Sequence, residues 1–300
     1  MSIIEQAAER LERLKQAGVD VPTVTPRPIA QEPSDAPVNT PAAEPPKATP
    51  PKKHSRRVTV DIDRLRAAGI VTPDEPNSKI AGEFRVIKRP LIANAQGKGV
   101  PAVRRGNLIM VTSSLANEGK TFVTVNLALS IAMELDTTVL LVDGDVLAPA
   151  VMGTLGLEKS KGLIDLLTSP TLDVSDVLLK TDIDRLSVLP SGTLHERSSE
   201  LLASDAMVRL IDELATRYPD RIILFDSPPL LATTESRSLA SHMGQIVLVV
   251  EADRTVRSTF EDALAKVEFC PVVMTVLNKA VESELGSYYH YYRSGDGSRK

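Results

Sequence analysis

A Gly-Lys-Thr turn set between an apolar run and a run of helical periodicity constrains this chain more than any other feature. Residues 107–111 read N-L-I-M-V, a strand, residues 114–121 read S-L-A-N-E-G-K-T, and a helix-like segment follows. A strand that enters a tight loop and leaves it as a helix turns successive backbone N–H groups toward one point, a cradle suited to a phosphate. Lys120 stands where an ammonium reaches β- and γ-oxygens, and Thr121 where a hydroxyl meets Mg²⁺. Ser114 takes the place of the usual first glycine, so the pattern is met in a relaxed form. Ser114, Leu115, Ala116, Asn117, Glu118, Gly119, Lys120 and Thr121 are therefore the candidate nucleotide-binding residues. The alternative is an ordinary strand-to-helix connection with an incidental Gly-Lys-Thr.

The surrounding pattern supplies the fold. Strand-like runs at residues 107–111, 138–142, 186–189, 221–225, 245–250 and 272–277 are separated by segments of helical periodicity. Short, almost fully apolar strands interleaved with helices predict an α/β domain with a mainly parallel twisted sheet covered on both faces, of the P-loop NTPase kind. In such sheets ligands sit beyond the carboxyl ends of the strands. The chain has no Trp, five Phe and five Tyr, so the core must be aliphatic. Further helices are expected at residues 61–69 and 81–91, the second ending where Pro90 interferes with it.

Two acidic motifs follow strands. D-G-D places Asp143 and Asp145 on either side of Gly144 after the second strand, so that one loop carries two carboxylates toward one site. Phosphoryl transfer needs oxygen ligands around Mg²⁺ and a group to accept the nucleophile's proton, and such a pair can divide those tasks. The fourth strand ends I-I-L-F-D-S-P-P, which puts Asp226 where a carboxylate reaches Mg²⁺ directly or through water. Thr121, Asp145 and Asp226 are the candidate metal residues; acidic turns are the alternative. Asn278, after the last strand, has an amide able to pair with an adenine edge or to serve as a turn residue.

The flanks differ in kind. Residues 2–17, within a first segment at 1–18, open with a capping box (Ser2, Glu5) and read as a short amphipathic helix. Residues 19–57 hold ten of the 21 prolines up to Pro51 and then the basic cluster Lys52, Lys53, His54, Arg56 and Arg57, a disordered tether. The nucleotide-binding domain is expected at 58–281. Residues 282–300 hold four of the five tyrosines, Tyr288, Tyr289, Tyr291 and Tyr292, among Gly and Ser. Phenols clustered on a segment without a core-forming pattern are candidate phosphoryl acceptors; an aromatic patch packed on the body is the alternative. A net charge of −4 gives no general attraction to nucleic acid. One cysteine, no basic-then-apolar leader and no apolar run near ~20 residues fit a cytoplasmic protein held at a membrane, if at all, by a partner.

These residues resemble the bacterial tyrosine kinases, which use a P-loop fold and phosphorylate a tyrosine cluster at their own C-terminus. The resemblance is greatest to the exosortase-associated tyrosine autokinases of exopolysaccharide systems. It is carried by M-S-I-I-E-Q-A, E-F-R-V-I-K-R-P-L, D-S-P-P-L-L-A-T-T-E and V-L-N-K. It implies an ATP- and Mg²⁺-dependent autokinase in which residues 114–121 are Walker A, Asp143 and Asp145 belong to Walker A′, and Asp226 to Walker B. Lys120, Asp143 and Asp145 would be the catalytic residues, one aspartate assisting deprotonation of a tyrosine from a neighbouring subunit. It also implies self-association and a membrane-anchored polysaccharide co-polymerase as activator. Departures are Ala116-Asn117 for a common Pro-Gly, Leu147 for a common Arg, and Gly82, Arg85 and Lys88 where the self-association helix often reads E-x-x-R-x-x-R. Two other readings share the core motifs: a partitioning-type ATPase switch, which carries a second lysine where this chain has Leu115, and a non-catalytic ATP-binding scaffold.

Overall fold

The computed structural model describes residues 56–217 and 221–281. The expected N-terminal helix, the tether up to residue 55 and the tyrosine-bearing segment lie outside the described residues. The strands are β1 (Arg56–Val58), β2 (Leu108–Ser113), β3 (Thr138–Asp143), β4 (Leu179–Thr181), β5 (Leu186–Leu189), β6 (Arg221–Asp226), β7 (Gln245–Glu251) and β8 (Val272–Asn278). They form one sheet in the order β1-β4-β5-β3-β6-β2-β7-β8. The six predicted strands make its continuous parallel block, each within two residues of its expected bounds. The sequence pattern missed β1 and β4, three residues each, which pair in parallel with one another and attach through β4 antiparallel to β5. Arg56 and Arg57, from the basic end of the expected tether, are thus strand residues.

Strand alternation divides the core into two layers. Ile109, Val111, Val139, Leu141, Ile222 and Leu224 face one side; Leu108, Met110, Leu140, Val142, Ile223 and Phe225 face the other. On the first side pack α1 (Ile62–Ala67), α2 (Lys79–Gln96) and α3 (Lys120–Ala132). Asp61 caps α1, its Oδ1 accepting the Arg64 N–H at 2.9 Å. α3 is buried at every position from Val123 to Ala132, which explains its apolar sequence all round. α2 helps to cover it, with Phe84 edge-on to Phe122 at 6.5 Å between ring centroids. The second side is covered by Leu163 and Ile164, by Met207, Leu210, Ile211 and Leu214 of the helix Asp205–Arg217, and by Leu239, Ala240 and Ala263.

α2 corrects one expectation. Pro90 does not end the helix, which continues to Gln96 and stops at Gly97 in a left-handed conformation. Proline removes the bond to the carbonyl four residues earlier, here that of Val86, which is 71% exposed. Both Pro90 and Val86 lie on the exposed face, so water can satisfy that carbonyl. The same helix turns Lys88 inward: it is 4% exposed, bonds the Ser130 carbonyl and pairs with Glu134 at 2.8 Å. Lys88 therefore ties α2 to α3, while Arg85 donates to the Pro76 carbonyl at 2.9 Å.

Candidate active site

Three parallel strands, β3, β6 and β2, deliver the site at their carboxyl ends. The loop from Ser114 to Gly119 joins β2 to α3, with Asn117 at φ 69° and Gly119 at φ 94°, both left-handed. A Cβ on Gly119 would stand 2.0 Å from Asn278 Nδ2, so this glycine serves a close approach as well as a backbone turn. The loop is knitted to the segment after β6: Leu230 N–H donates to the Ser113 carbonyl at 2.9 Å and Leu231 N–H to that of Ser114 at 3.3 Å. Thr112 Oγ1 donates to the Pro228 carbonyl at 2.9 Å. The two prolines thus form the wall facing the loop.

Strand register brings the carboxylates together. Asp143 and Asp226 are direct partners at the ends of β3 and β6. Gly144 is required there, because a Cβ would lie 2.8 Å from the Asp226 carbonyl oxygen. Asp226 Oδ2 accepts from Thr121 Oγ1 at 2.7 Å, and its Oδ1 from Thr124 Oγ1 at 3.0 Å. Lys120 Nζ pairs with Asp145 Oδ2 at 2.7 Å. Asp143 Oδ2 accepts the Val151 N–H at 3.2 Å, whereas its Oδ1 and the Ser114 hydroxyl are buried without a hydrogen-bond partner among the described residues.

The electrostatics follow from this crowding. Burial and the neighbouring Asp226 push the Asp143 carboxyl up to about 8. Burial also pushes Asp226 up to about 6, against the pull of Lys120 and its two threonine hydroxyls. Burial alone would lower Lys120, but Asp226, Asp145 and Asp143 hold it above the usual lysine value. Three acids around one lysine leave an excess of negative charge that a bound cation would relieve. Two orphaned buried oxygens, a left-handed glycine loop and a threonine-aspartate pair fit a phosphate with a divalent ion. Among the described residues no trio of His, Cys, Asp or Glu is placed to hold a metal alone. The residues that fit are Thr121 with Asp226 and Asp145, the nucleotide's own oxygens filling the shell.

A cleft of about 610 Å³ opens over this cluster, lined by Ala116, Asn117, Gly119, Lys120, Thr121, Asp145, Leu147, Pro228, Pro229 and Lys279 among others. Asp145 reaches it; Asp143 and Asp226 stand behind. Leu115 is half exposed, and Leu147 exposes an apolar side chain at the mouth. Asn278 is drawn to the loop, its Nδ2 donating to the Glu118 carbonyl at 2.9 Å. Sequence reasoning missed Thr124, which shares a helix face with Thr121 three residues away, and the inward carboxylate of Glu118. Thr255 and Lys279 also bond the loop from outside, and neither was named as a site residue, although Lys279 closes the V-L-N-K run.

The family model described as an AAA domain matches residues 107–256, from β2 to just past β7. Tyrosine-protein kinase YwqD of Bacillus subtilis is 28% identical over 224 residues, covering 73% of this chain and 90% of that protein. Tyrosine-protein kinase wzc of Salmonella typhi is also 28% identical, over 64% of this chain, which spans only 27% of that longer protein. The crystal structure of the chimerical protein CapA2B2 superposes with a TM-score of 0.58 at 26% identity, covering 74% of this chain and 93% of the other. With its phosphate loop, paired acidic motifs and parallel sheet, the chain belongs to the AAA-domain family of P-loop proteins, where its relatives include bacterial tyrosine-protein kinases.

Proposed function

We propose that this protein is an ATP- and Mg²⁺-dependent tyrosine autokinase, phosphorylating Tyr288, Tyr289, Tyr291 and Tyr292 in trans and so regulating exopolysaccharide synthesis or export. The observation that carries the reading is the convergence of Lys120, Thr121 and Asp145 on one cleft at the strand ends, with Asp226 behind them bonded to Thr121. The names of the similar relatives support it. MgATP, when bound, supplies the phosphoryl group and the metal's charge. Lys120 would hold the phosphate oxygens, and Thr121 with Asp226 would hold the metal side. Asp145, which lines the cleft beside the metal side, would orient the phenol and take its proton; Asp143, behind it, accepts the Val151 N–H and fixes the end of the acidic loop. Asn278 has one amide hydrogen engaged by Glu118, so a contact to the base rests on its remaining donor and its oxygen.

Self-association brings the acceptor segment of a neighbour to the cleft. Lys88 is turned into the core, so the outer face of α2 offers Glu83, Val86 and Arg89 instead. Among the described residues no helix is long and apolar enough to cross a membrane. We infer that a membrane-anchored co-polymerase recruits and activates the protein at the inner face. Intact-mass and peptide mass spectrometry after incubation with MgATP tests the reading. Phosphate on the tail tyrosines that disappears in Lys120→Met is the expected result. Nucleotide binding with an unmodified tail, activator present, points instead to an ATPase switch or a scaffold.

A further inference from the structure

The phosphate loop is held from outside by a part of the sheet that carries none of the acidic motifs. β7 and β8 end beside it, and side chains from those ends grip its outer side. Lys279 Nζ donates to the Asn117 carbonyl at 2.7 Å and pairs with Glu251 at 3.1 Å. Asn278 Nδ2 donates to the Glu118 carbonyl. Thr255 Oγ1 donates to Glu118 Oε1 while accepting the Glu251 N–H at 3.1 Å. The other Glu118 oxygen accepts the Leu115 N–H at 2.8 Å, closing the loop on itself. Lys279 adopts φ 58°, a left-handed conformation uncommon for lysine, at the point where it meets the loop.

Peptide planarity gives this grip a consequence. In a trans peptide the carbonyl of one residue and the N–H of the next point in opposite directions. Fixing the Asn117 carbonyl on Lys279 therefore turns the Glu118 N–H the other way, and fixing the Glu118 carbonyl on Asn278 does the same for the Gly119 N–H. Neither N–H has a protein acceptor among the described residues. Both belong to the stretch whose amides surround a phosphate in loops of this spacing.

We propose that Lys279 and Asn278 are positioning residues for the nucleotide: they hold two peptide planes of the loop so that the Glu118 and Gly119 amides are aimed at a phosphate before it arrives. The ammonium makes the stronger contribution, because its bond to Asn117 is charge-assisted. This rests on the reading of residues 114–121 as a nucleotide loop.

Titration calorimetry of the full chain with MgADP tests it, using wild type, Lys279→Met and Lys279→Arg, each with a melting curve. Lys279→Met is expected to weaken MgADP about tenfold and Lys279→Arg to restore it to within about threefold, with melting temperatures unmoved. Undiminished binding by Lys279→Met overturns the proposal. So does weakening that arginine does not rescue and that tracks a lowered melting temperature, because the lysine is then structural only. Should Lys279→Met fail to fold, Asn278→Ala carries the same test with magnesium pyrophosphate, which has no base for the Asn278 amide to contact, as the probe. Wild type that does not bind MgADP overturns the nucleotide reading itself, a result distinct from any of these.

Discussion

Lys120 Nζ lies 2.7 Å from Asp145 Oδ2, with the two side chains only 13% and 5% exposed. The lysine expected to hold phosphate oxygens is thus engaged by the carboxylate expected to face the acceptor. A ligand that takes Lys120 from a nearly buried pair leaves the Asp145 charge without its partner, a cost that binding has to offset.

Asp145→Asn removes that competition. We expect it to tighten metal-free ADP by about threefold or more, since Lys120 is released, while tyrosine phosphorylation falls by about a hundredfold or more. Calorimetry without metal and phosphopeptide quantification with MgATP give the two numbers. ADP affinity that stays level or drops would show that the ion pair does not oppose nucleotide binding.

Asp143 and Asp226 impose a pH dependence whose sign is unusual for carboxylates. Their folded values, about 8 and about 6, lie above the ordinary 3.8. Across that interval the folded chain keeps protons that the unfolded chain has released, so stability falls as pH rises. Their contribution is fully present below about pH 4 and is lost as pH climbs through the two folded values. Asp143→Asn should flatten this decline and stabilise the free protein at pH 8 by on the order of 1 kcal/mol. Urea unfolding of both proteins at pH 5.5 and 8 measures it; parallel slopes would refute the assignment to Asp143.

On α2, position 88 is a core position despite its charge. Lys88→Ala deletes a buried stem and leaves Glu134 and the Ser130 carbonyl without their donor, a loss of about 2–3 kcal/mol. Arg85→Ala, at a more exposed site, should cost less than about 1 kcal/mol. Urea midpoints separate them, and equal small losses would place Lys88 at the surface in solution.

The parallel block was legible because each of its strands is a mainly apolar run of four to seven residues, and all but the edge strand β8 are buried on both faces. β1 and β4 were not: R-R-V and L-K-T are three residues each, with a single buried side chain, Leu179, between them, and are strands because β1 finds β4 and β4 finds β5. In the site, residues whose chemistry is local could be read directly, as with the loop and its two acidic motifs. Contacts that depend on strand neighbours could not. Asn278 could be named as a site residue, but nothing near it says that Lys279 bonds a loop residue 162 positions away. Glu118 could be named as a loop residue of the site, but its burial and its bond from Thr255, just past β7, could not be read locally.

Pro90 gives the clearest test of why a local rule failed. It was expected to end α2, yet the helix runs on to Gln96 with Leu91 fully buried one residue later. Tertiary anchoring explains this: Phe84, Lys88 and Leu91 are held on the α3 side, so the helix continues although one bond is lost. The lost bond lies on the exposed face beside Val86. Pro90→Ala restores a donor for the Val86 carbonyl and removes an exposed ring. The free protein should gain about 1 kcal/mol or more, read as a higher urea midpoint, and the new amide at position 90 should be protected from hydrogen exchange. A substitution that leaves the midpoint unchanged, with that amide exchanging freely, would mean the helix is broken at this point in solution and that α2 is two shorter helices packed end to end.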